Sequence, residues 1–316
     1  MTLSNAVAQE LWKKTAKSQG VAGTAPQPWE HGAVNPSDLT RTFASGTQAQ
    51  IELHGTSMHL VVDGTPQSHV NLDDPSELRF GYIRHMGHVL DQAFDARQPI
   101  TALHLGAGAL TLPRYIEHTR PGSRQQVLEL ERELVDLVRS IAPLPAHASI
   151  RIRYGDARAQ LDRLPAGLHQ RADAIVVDLF EGPQTPAHVT TAEFFTSLAR
   201  FLTPNGVVLV NVADGHDLAF ARAEIATLRQ VFGSVLLVSD PAVFKGRRFG
   251  NIVAVASRDR LELPGLARLA ASGFPPAVVQ HDEQAHKWLR GANPITDAVS
   301  KPSPLPGRGT FSVKRP

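Results

Sequence analysis

A mostly parallel α/β sheet with helices on both faces, preceded by a small antiparallel β-subdomain, is the fold that the sequence predicts. Three observations predict it. From about residue 100 onward, short apolar runs alternate with amphipathic helical patterns. Those runs are apolar at consecutive positions, as strands buried on both faces require. Residues 42 to 72 instead alternate apolar with polar residues between glycine turns, the signature of short antiparallel strands.

Taken in order, residues 1–40 are rich in Ala, Gln, Pro, Gly and Ser, with at most one amphipathic turn around Leu11 and Trp12. They predict a mobile N-terminal arm. Residues 41–75 form the β-subdomain, with Ser45-Gly46, His54-Gly55 and Asp63-Gly64 as its turns. Residues 76–295 make the α/β domain. It opens with a helix over Phe80 to Asp95, whose apolar positions are Ile83, Met86, Val89, Leu90 and Phe94. The strands TALHLG, QQVLEL, SIRIRYG, AIVVDLF and GVVLVNVA follow, with helical patterns at Arg132 to Ser140 and Glu193 to Leu202 between them. SVLLVSD and GNIVAVASR, joined by a turn carrying Lys245, Arg247 and Arg248, predict an antiparallel edge. Residues 296–316 are Pro- and Gly-rich and predict an extended C-terminal tail.

Composition narrows the function. The 316 residues carry a net charge of only +2, too little to argue for nucleic acid as a partner. No cysteine is present, so disulfides, thiolate metal sites and a cysteine nucleophile are excluded. The start does not read as a secretory signal, and no stretch approaches the ~18 apolar residues of a membrane span. The expectation is a cytoplasmic protein with no membrane partner.

Ligands of open α/β sheets sit at the carboxyl ends of the strands. The first such end is Gly106-Ala107-Gly108, between an apolar strand and a helix with Pro113 in its first turn. The next strand ends at Glu129, roughly twenty residues on, where a carboxylate can accept from both ribose hydroxyls. The third ends in Gly155-Asp156-Ala157, where the acid can accept from an adenine amino group or cap a helix. The fourth ends at Asp178. A nicotinamide dehydrogenase would place a third glycine where Thr111 stands, and no Walker lysine is present. The run ARFLTPNGVVLVN fits a class I methyltransferase-like (Rossmann-like) sheet. The ligand expected is an adenosyl compound without a phosphate chain.

Over residues 50 to 300 the sequence resembles the spermidine synthase (polyamine aminopropyltransferase) family. The resemblance rests on Asp63-Gly64, Gln67, Tyr82 and His88; on HLGAGALTLPRYI; on VLELERELV; on VVDLFEGPQTPAHVTTAEFF; and on PITDA around Asp297. It implies Asp178 as general base, Glu181, Tyr82 and Gln67 at the amine acceptor, and Gly106, Gly108, Glu129 and His88 at the nucleoside, which Asp156 and Ala157 join as the third strand end. It implies decarboxylated S-adenosylmethionine as co-substrate with no tightly bound cofactor, a diamine acceptor, and a homodimer through the N-terminal strands. The family pattern departs at four places: Ala109 stands where a loop aspartate is usual, Leu110 and Thr111 replace glycines, Arg84 replaces an acid, and Glu181 replaces an aspartate.

Two other functions fit these residues. One is methyl transfer from S-adenosylmethionine on the same scaffold, which Ala109 favours because the missing acid removes one preference for the decarboxylated donor. The other is a non-catalytic nucleoside-binding or assembly protein, against which the intact Asp178 argues. His85 and His88 stand three apart on a helix without a further ligand cluster, so no metal is expected. Phe194 and Phe195 read as core, and Lys245, Arg247 and Arg248 as a solvated turn.

Overall fold

Period-two alternation within the apolar runs decides how this molecule is layered. In the computed structural model, which describes residues 39–44 and 46–307, eight strands form one sheet and four form another. The expected arm lies outside the described residues except for Leu39 and Thr40, as do residues 308–316 of the tail.

The small sheet is an antiparallel meander of β1 (Thr40–Thr42), β2 (Gln48–His54), β3 (Ser57–Val62) and β4 (Thr65–Asn71). Asp63 and Gly64 both have positive φ, as a tight two-residue hairpin between β3 and β4 requires. Leu60 pairs with Ser68 and Val61 with Pro66, so Gln67 is the extra residue of a β-bulge.

The helix expected around residues 80–95 is α1 (Gly81–Ala93). The large sheet then follows: β5 (Thr101–Leu105), α2 (Thr111–Thr119), β6 (Arg124–Glu129), α3 (Arg132–Ile141), β7 (Ser149–Tyr154), α4 (Ala157–Leu161), β8 (Ala172–Val177), α5 (Ala192–Ala199), β9 (Leu202–Asp214) and α6 (Ala219–Phe232). Helix α5 stops short of Leu202, which instead opens β9 opposite Ala172. The chain ends in β10 (Ser234–Ser239), α7 (Pro241–Phe244), β11 (Gly250–Ser257), α8 (Leu266–Ser272), β12 (Val278–Gln280) and α9 (Asp282–Leu289). Strand order is β12-β10-β11-β9-β8-β5-β6-β7. The five strands β7, β6, β5, β8 and β9 are parallel, and β11, β10 and β12 make the antiparallel edge.

Alternate residues of each strand serve opposite cores. Leu103, Leu105, Ile175, Val177, Val208 and Val210 pack with Phe194, Phe195, Ile225 and Leu289 of α5, α6 and α9. Ala102, Ala174, Val176, Val207 and Leu209 pack with Met86, Leu90, Ile116 and Leu266 of α1, α2 and α8. A third apolar cluster joins Ile51, Met58 and Leu60 of the small sheet to Leu137 and Val138 of α3, and Ala109 is sealed inside it. Arg120, also fully buried, donates to Asp91 Oδ1 at 3.1 Å and to Leu90 O at 3.1 Å, so the last turn of α1 is pinned to the end of α2.

Glu224 of α6 is buried beside Asp214, the last residue of β9. Burial first, and the neighbouring Asp214 charge second, push its carboxyl up to about 8. Among the described residues, no helix is long and apolar enough to cross a membrane.

Candidate active site

β5 is flanked by β6 on one side and β8 on the other, so the order of the parallel strands reverses there. Beyond it the chain turns through Gly106 at φ +92° and Gly108 at φ +48°. A Cβ on Gly106 would lie 2.2 Å from the carbonyl oxygen of Asp178. One on Gly108 would lie 2.6 Å from Ser68 Oγ of β4. Both glycines therefore permit close approach as well as a left-handed backbone. The turn is held by Gly106 N donating to Leu128 O at 2.9 Å and Ala107 N donating to Glu129 Oε2 at 2.7 Å. The small sheet reaches the same turn, where Thr111 Oγ1 donates to His69 O at 3.0 Å.

Asp178 follows β8 directly, and its N–H donates to Leu105 O at 2.9 Å. Tyr82 Oη of α1 donates to its Oδ2 at 3.2 Å, and Asn211 Nδ2 of β9 donates to its Oδ1 at 2.8 Å. Strand parity explains the meeting: Asp178 and Val176 share a face, as do Asn211 and Leu209, and α1 covers that face. Burial raises the Asp178 carboxyl above its ordinary value, while the bonds from Asn211 and Tyr82 oppose the rise. Burial, together with the Asp178 charge, also raises Tyr82 well above the usual phenol range, so Tyr82 remains a donor. Asn211 is the site residue that the sequence motifs miss. Its signal is a lone amide in the apolar run GVVLVNVA, at a position whose neighbours two apart face a helix core.

Glu129 ends β6 with Oε1 accepting from Glu131 N at 2.9 Å, besides the bond from Ala107. Burial raises its carboxyl despite the backbone bonds. The next residue, Leu130, is 67% exposed, leaving an apolar surface beside the acid at the carboxyl end of the sheet. Asp156 caps α4, with Oδ1 accepting from Ala159 N at 2.8 Å, and its Oδ2 lies 2.7 Å from His188 Nε2. Ala157 opens α4 with its methyl group in the core.

The remaining residues are less tightly gathered. Gln67 sits at the bulge next to Ser68, whose Oγ faces the glycine turn, and it makes no hydrogen bond to the Tyr82–Asp178–Asn211 cluster. Glu181 is exposed in a turn closed by its own N–H to Gln184 O at 2.8 Å, with Gly182 at φ +57°. It does not join that cluster either. His88 Nδ1 is buried without a hydrogen-bond partner among the described residues, and its ring is 6.3 Å from that of His85. Burial, then the charge of Arg84, lower His88, so the ring is held neutral. Arg84 itself reaches Phe274 O at 3.2 Å in the α8–β12 loop. Phe194 and Phe195 are fully buried core residues.

No protein-family model matches the chain. The sequence is 28% identical over 234 residues to a polyamine aminopropyltransferase of Vibrio vulnificus, covering 72% of this chain and 76% of that protein. Its fold matches the crystal structure of a probable spermidine synthase from Corynebacterium glutamicum with a TM-score of 0.74. That pair is 31% identical, over 81% of this chain and 95% of the other. A spermidine synthase structure from Thermotoga maritima matches at TM-score 0.50 and 16% identity, over 80% and 79% of the two chains, and supports the fold alone.

Proposed function

The chain belongs to the spermidine synthase (polyamine aminopropyltransferase) family, and from that premise we propose that it moves an aminopropyl group from decarboxylated S-adenosylmethionine to a diamine. One observation carries the reading. A carboxylate at the end of the fourth parallel strand, Asp178, accepts from Tyr82 and Asn211, and its backbone lies against the glycine turn that Glu129 holds.

The reaction is an in-line displacement at the carbon next to a sulfonium. The amine's lone pair forms the new C–N bond, the C–S bond breaks with its electrons going to sulfur, and methylthioadenosine leaves. The attacking nitrogen carries a surplus proton, which passes to a carboxylate oxygen of Asp178. Burial raises the proton affinity of that carboxylate, the direction a base requires, and the Asn211 and Tyr82 donors hold it in one orientation. The sulfonium is already a good leaving group, so positioning supplies much of the acceleration; in favourable systems it is worth roughly 7–11 kcal/mol.

Gly106 and Gly108 allow the donor to lie against the backbone, Glu129 accepts from the ribose hydroxyls, and Leu130 gives the base an apolar surface. Asp156 and Ala157 lie at the base's amino edge, and the free Nδ1 of His88 is available at the nucleoside. Tyr82 and Gln67 orient the diamine. Glu181, exposed at the mouth, attracts it as a cation. The donor is a co-substrate that comes and goes, with no tightly bound cofactor. A homodimer in the cytoplasm belongs to the same reading.

The decisive experiment titrates the protein with decarboxylated and ordinary S-adenosylmethionine in parallel, with methylthioadenosine as control, and assays aminopropyl transfer to a diamine. Preference for the decarboxylated donor with product formation supports the reading. Preference for the carboxylated donor without aminopropyl product replaces it with methyl transfer.

A further inference from the structure

The loop after Asp178, residues 179–191, is fastened at its far end by contacts that the proposed reaction leaves unused. His188 lies in the 3₁₀ turn Ala187–Val189, and its Nε2 meets Asp156 Oδ2 at 2.7 Å. Its carbonyl accepts from Arg158 Nη1 at 2.9 Å. Arg158 in turn grips Asp297 by donating from Nη1 to Oδ1 and from Nη2 to Oδ2, at 2.7 and 2.6 Å. Asp297 N donates to Glu193 Oε2 at 3.0 Å, and Ala192 N donates to Ile295 O at 2.8 Å. Closer to Asp178, Thr185 exchanges two hydrogen bonds with the fully buried Ser303: Thr185 N to Ser303 Oγ at 2.8 Å, and Ser303 N to Thr185 O at 3.0 Å.

We infer that His188 is a positioning residue that clasps the Asp178 loop to Asp156, so that recognition of the nucleoside base and closure of the catalytic loop share one carboxylate. The inference deepens the proposed function and rests on its assignment of Asp156 to the base. An ionised carboxylate offers about four acceptor positions. Here backbone N–H groups of Ala159 and Arg158 and the His188 ring take three. One remains for an amino N–H of the base. A base bound there fills the last position of a carboxylate already tied to the loop, and the loop in turn holds that carboxylate in place. The strap from Ile295 to Ser303 sets where the loop can lie; His188 is the side chain of the loop that reaches the acid.

The test uses the full-length chain and its variants H188A and H188Q, with methylthioadenosine as the probe. Calorimetry gives its affinity, and hydrogen exchange gives protection of residues 179–191 with and without it. Because H188Q retains a side-chain donor, it separates the hydrogen bond from the imidazole. The His188–Asp156 bond is half exposed and so worth no more than a typical hydrogen bond; removing it in H188A should weaken binding roughly three- to tenfold. The same variant should exchange faster over 179–191 in the free protein and lose the extra protection that the probe confers, with the thermal midpoint unchanged. H188Q should recover most of both. A wild type that binds the probe while H188A matches it in affinity and in loop protection overturns the clasp and leaves the proposed function standing. A wild type that does not bind the probe overturns the nucleoside reading and the coupling together.

Discussion

The two halves of the candidate site are built in different ways. The proposed nucleoside half is made of consecutive strand ends whose carboxylates accept from main-chain N–H groups: Glu129 from Ala107 and Glu131, and Asp156 from Ala159, with the His188 ring added at its other oxygen. The reacting half is made of side chains that meet across long stretches of chain. Tyr82 and Asp178 are 96 residues apart, and Asp178 and Asn211 are 33 apart. A site held by its own backbone survives changes in neighbouring side chains, whereas one held by three side chains depends on each. Changes in the first half should therefore register in affinity, and changes in the second in turnover.

D178N breaks the comparison hardest. It keeps the shape and one acceptor but removes the base, so turnover should fall roughly 10²–10⁴-fold. Methylthioadenosine affinity should stay within about twofold by calorimetry, a difference well inside one hydrogen bond. Turnover near the wild-type value would take the base assignment away from Asp178. E129Q should act in the opposite sense, weakening methylthioadenosine roughly tenfold through lost charge-assisted bonds while leaving turnover at saturating donor close to normal. If turnover fell and affinity did not, the two halves would not be separable.

Y82F sharpens the reacting half. The Tyr82 hydroxyl opposes the burial that raises Asp178, so removing it raises Asp178 further. A base works only when deprotonated; the acid limb of kcat/KM should therefore move to higher pH, with a several-fold loss at low pH that narrows as pH rises. A limb that stayed in place or moved down would contradict the Tyr82–Asp178 bond. E181Q should show the smallest kinetic effect: about a two- to threefold rise in the KM for diamine that shrinks with added salt, as befits an exposed charge.

Outside both halves, E224Q tests the packing behind β9. Glu224 is raised in the folded chain from 4.5 to about 8. Between those values the folded state keeps a proton that the unfolded state has released. That contribution to stability is whole below about 4.5 and is lost as pH rises to about 8, at up to roughly 1.4 kcal/mol per unit. E224Q should flatten this slope in denaturant titrations across that window and leave turnover alone.

The contrast between the halves also explains what can be read from sequence. Continuous apolar runs specify strands buried on two faces, and the glycines and acids at their ends follow from strand geometry, so Gly106, Gly108, Glu129, Asp156 and Asp178 are legible as strand-end residues. Asn211 is not, because an amide inside an apolar strand is visible as a partner only once parity and the covering helix are known. His188 is hidden for a related reason: its contact to Asp156 needs the loop path, which the buried Ser303 helps to set. Local pattern also fails at β9, where the helical periodicity runs through to Leu202 but pairing with β8 claims that residue for the sheet. The short edge strand β12 and helices α8 and α9 carry too few periodic positions to announce themselves.

Ala109 stands where the family resemblance expects an aspartate, and it lies at zero exposure in the cluster that joins Ile51, Met58 and Leu60 to Val138. The buried guanidinium of Arg114 lies beside this residue, its Nε donating to Ala109 O at 3.4 Å, so a carboxylate installed there would lose its water next to a cation already engaged with backbone carbonyls. An aspartate at 109 would compete for space with Ile51, Met58 and Val138 while leaning on that guanidinium for charge, so position 109 is governed by volume first. A variant that installs the acid is best built together with a smaller side chain at Met58 or Val138, where the small sheet meets α3.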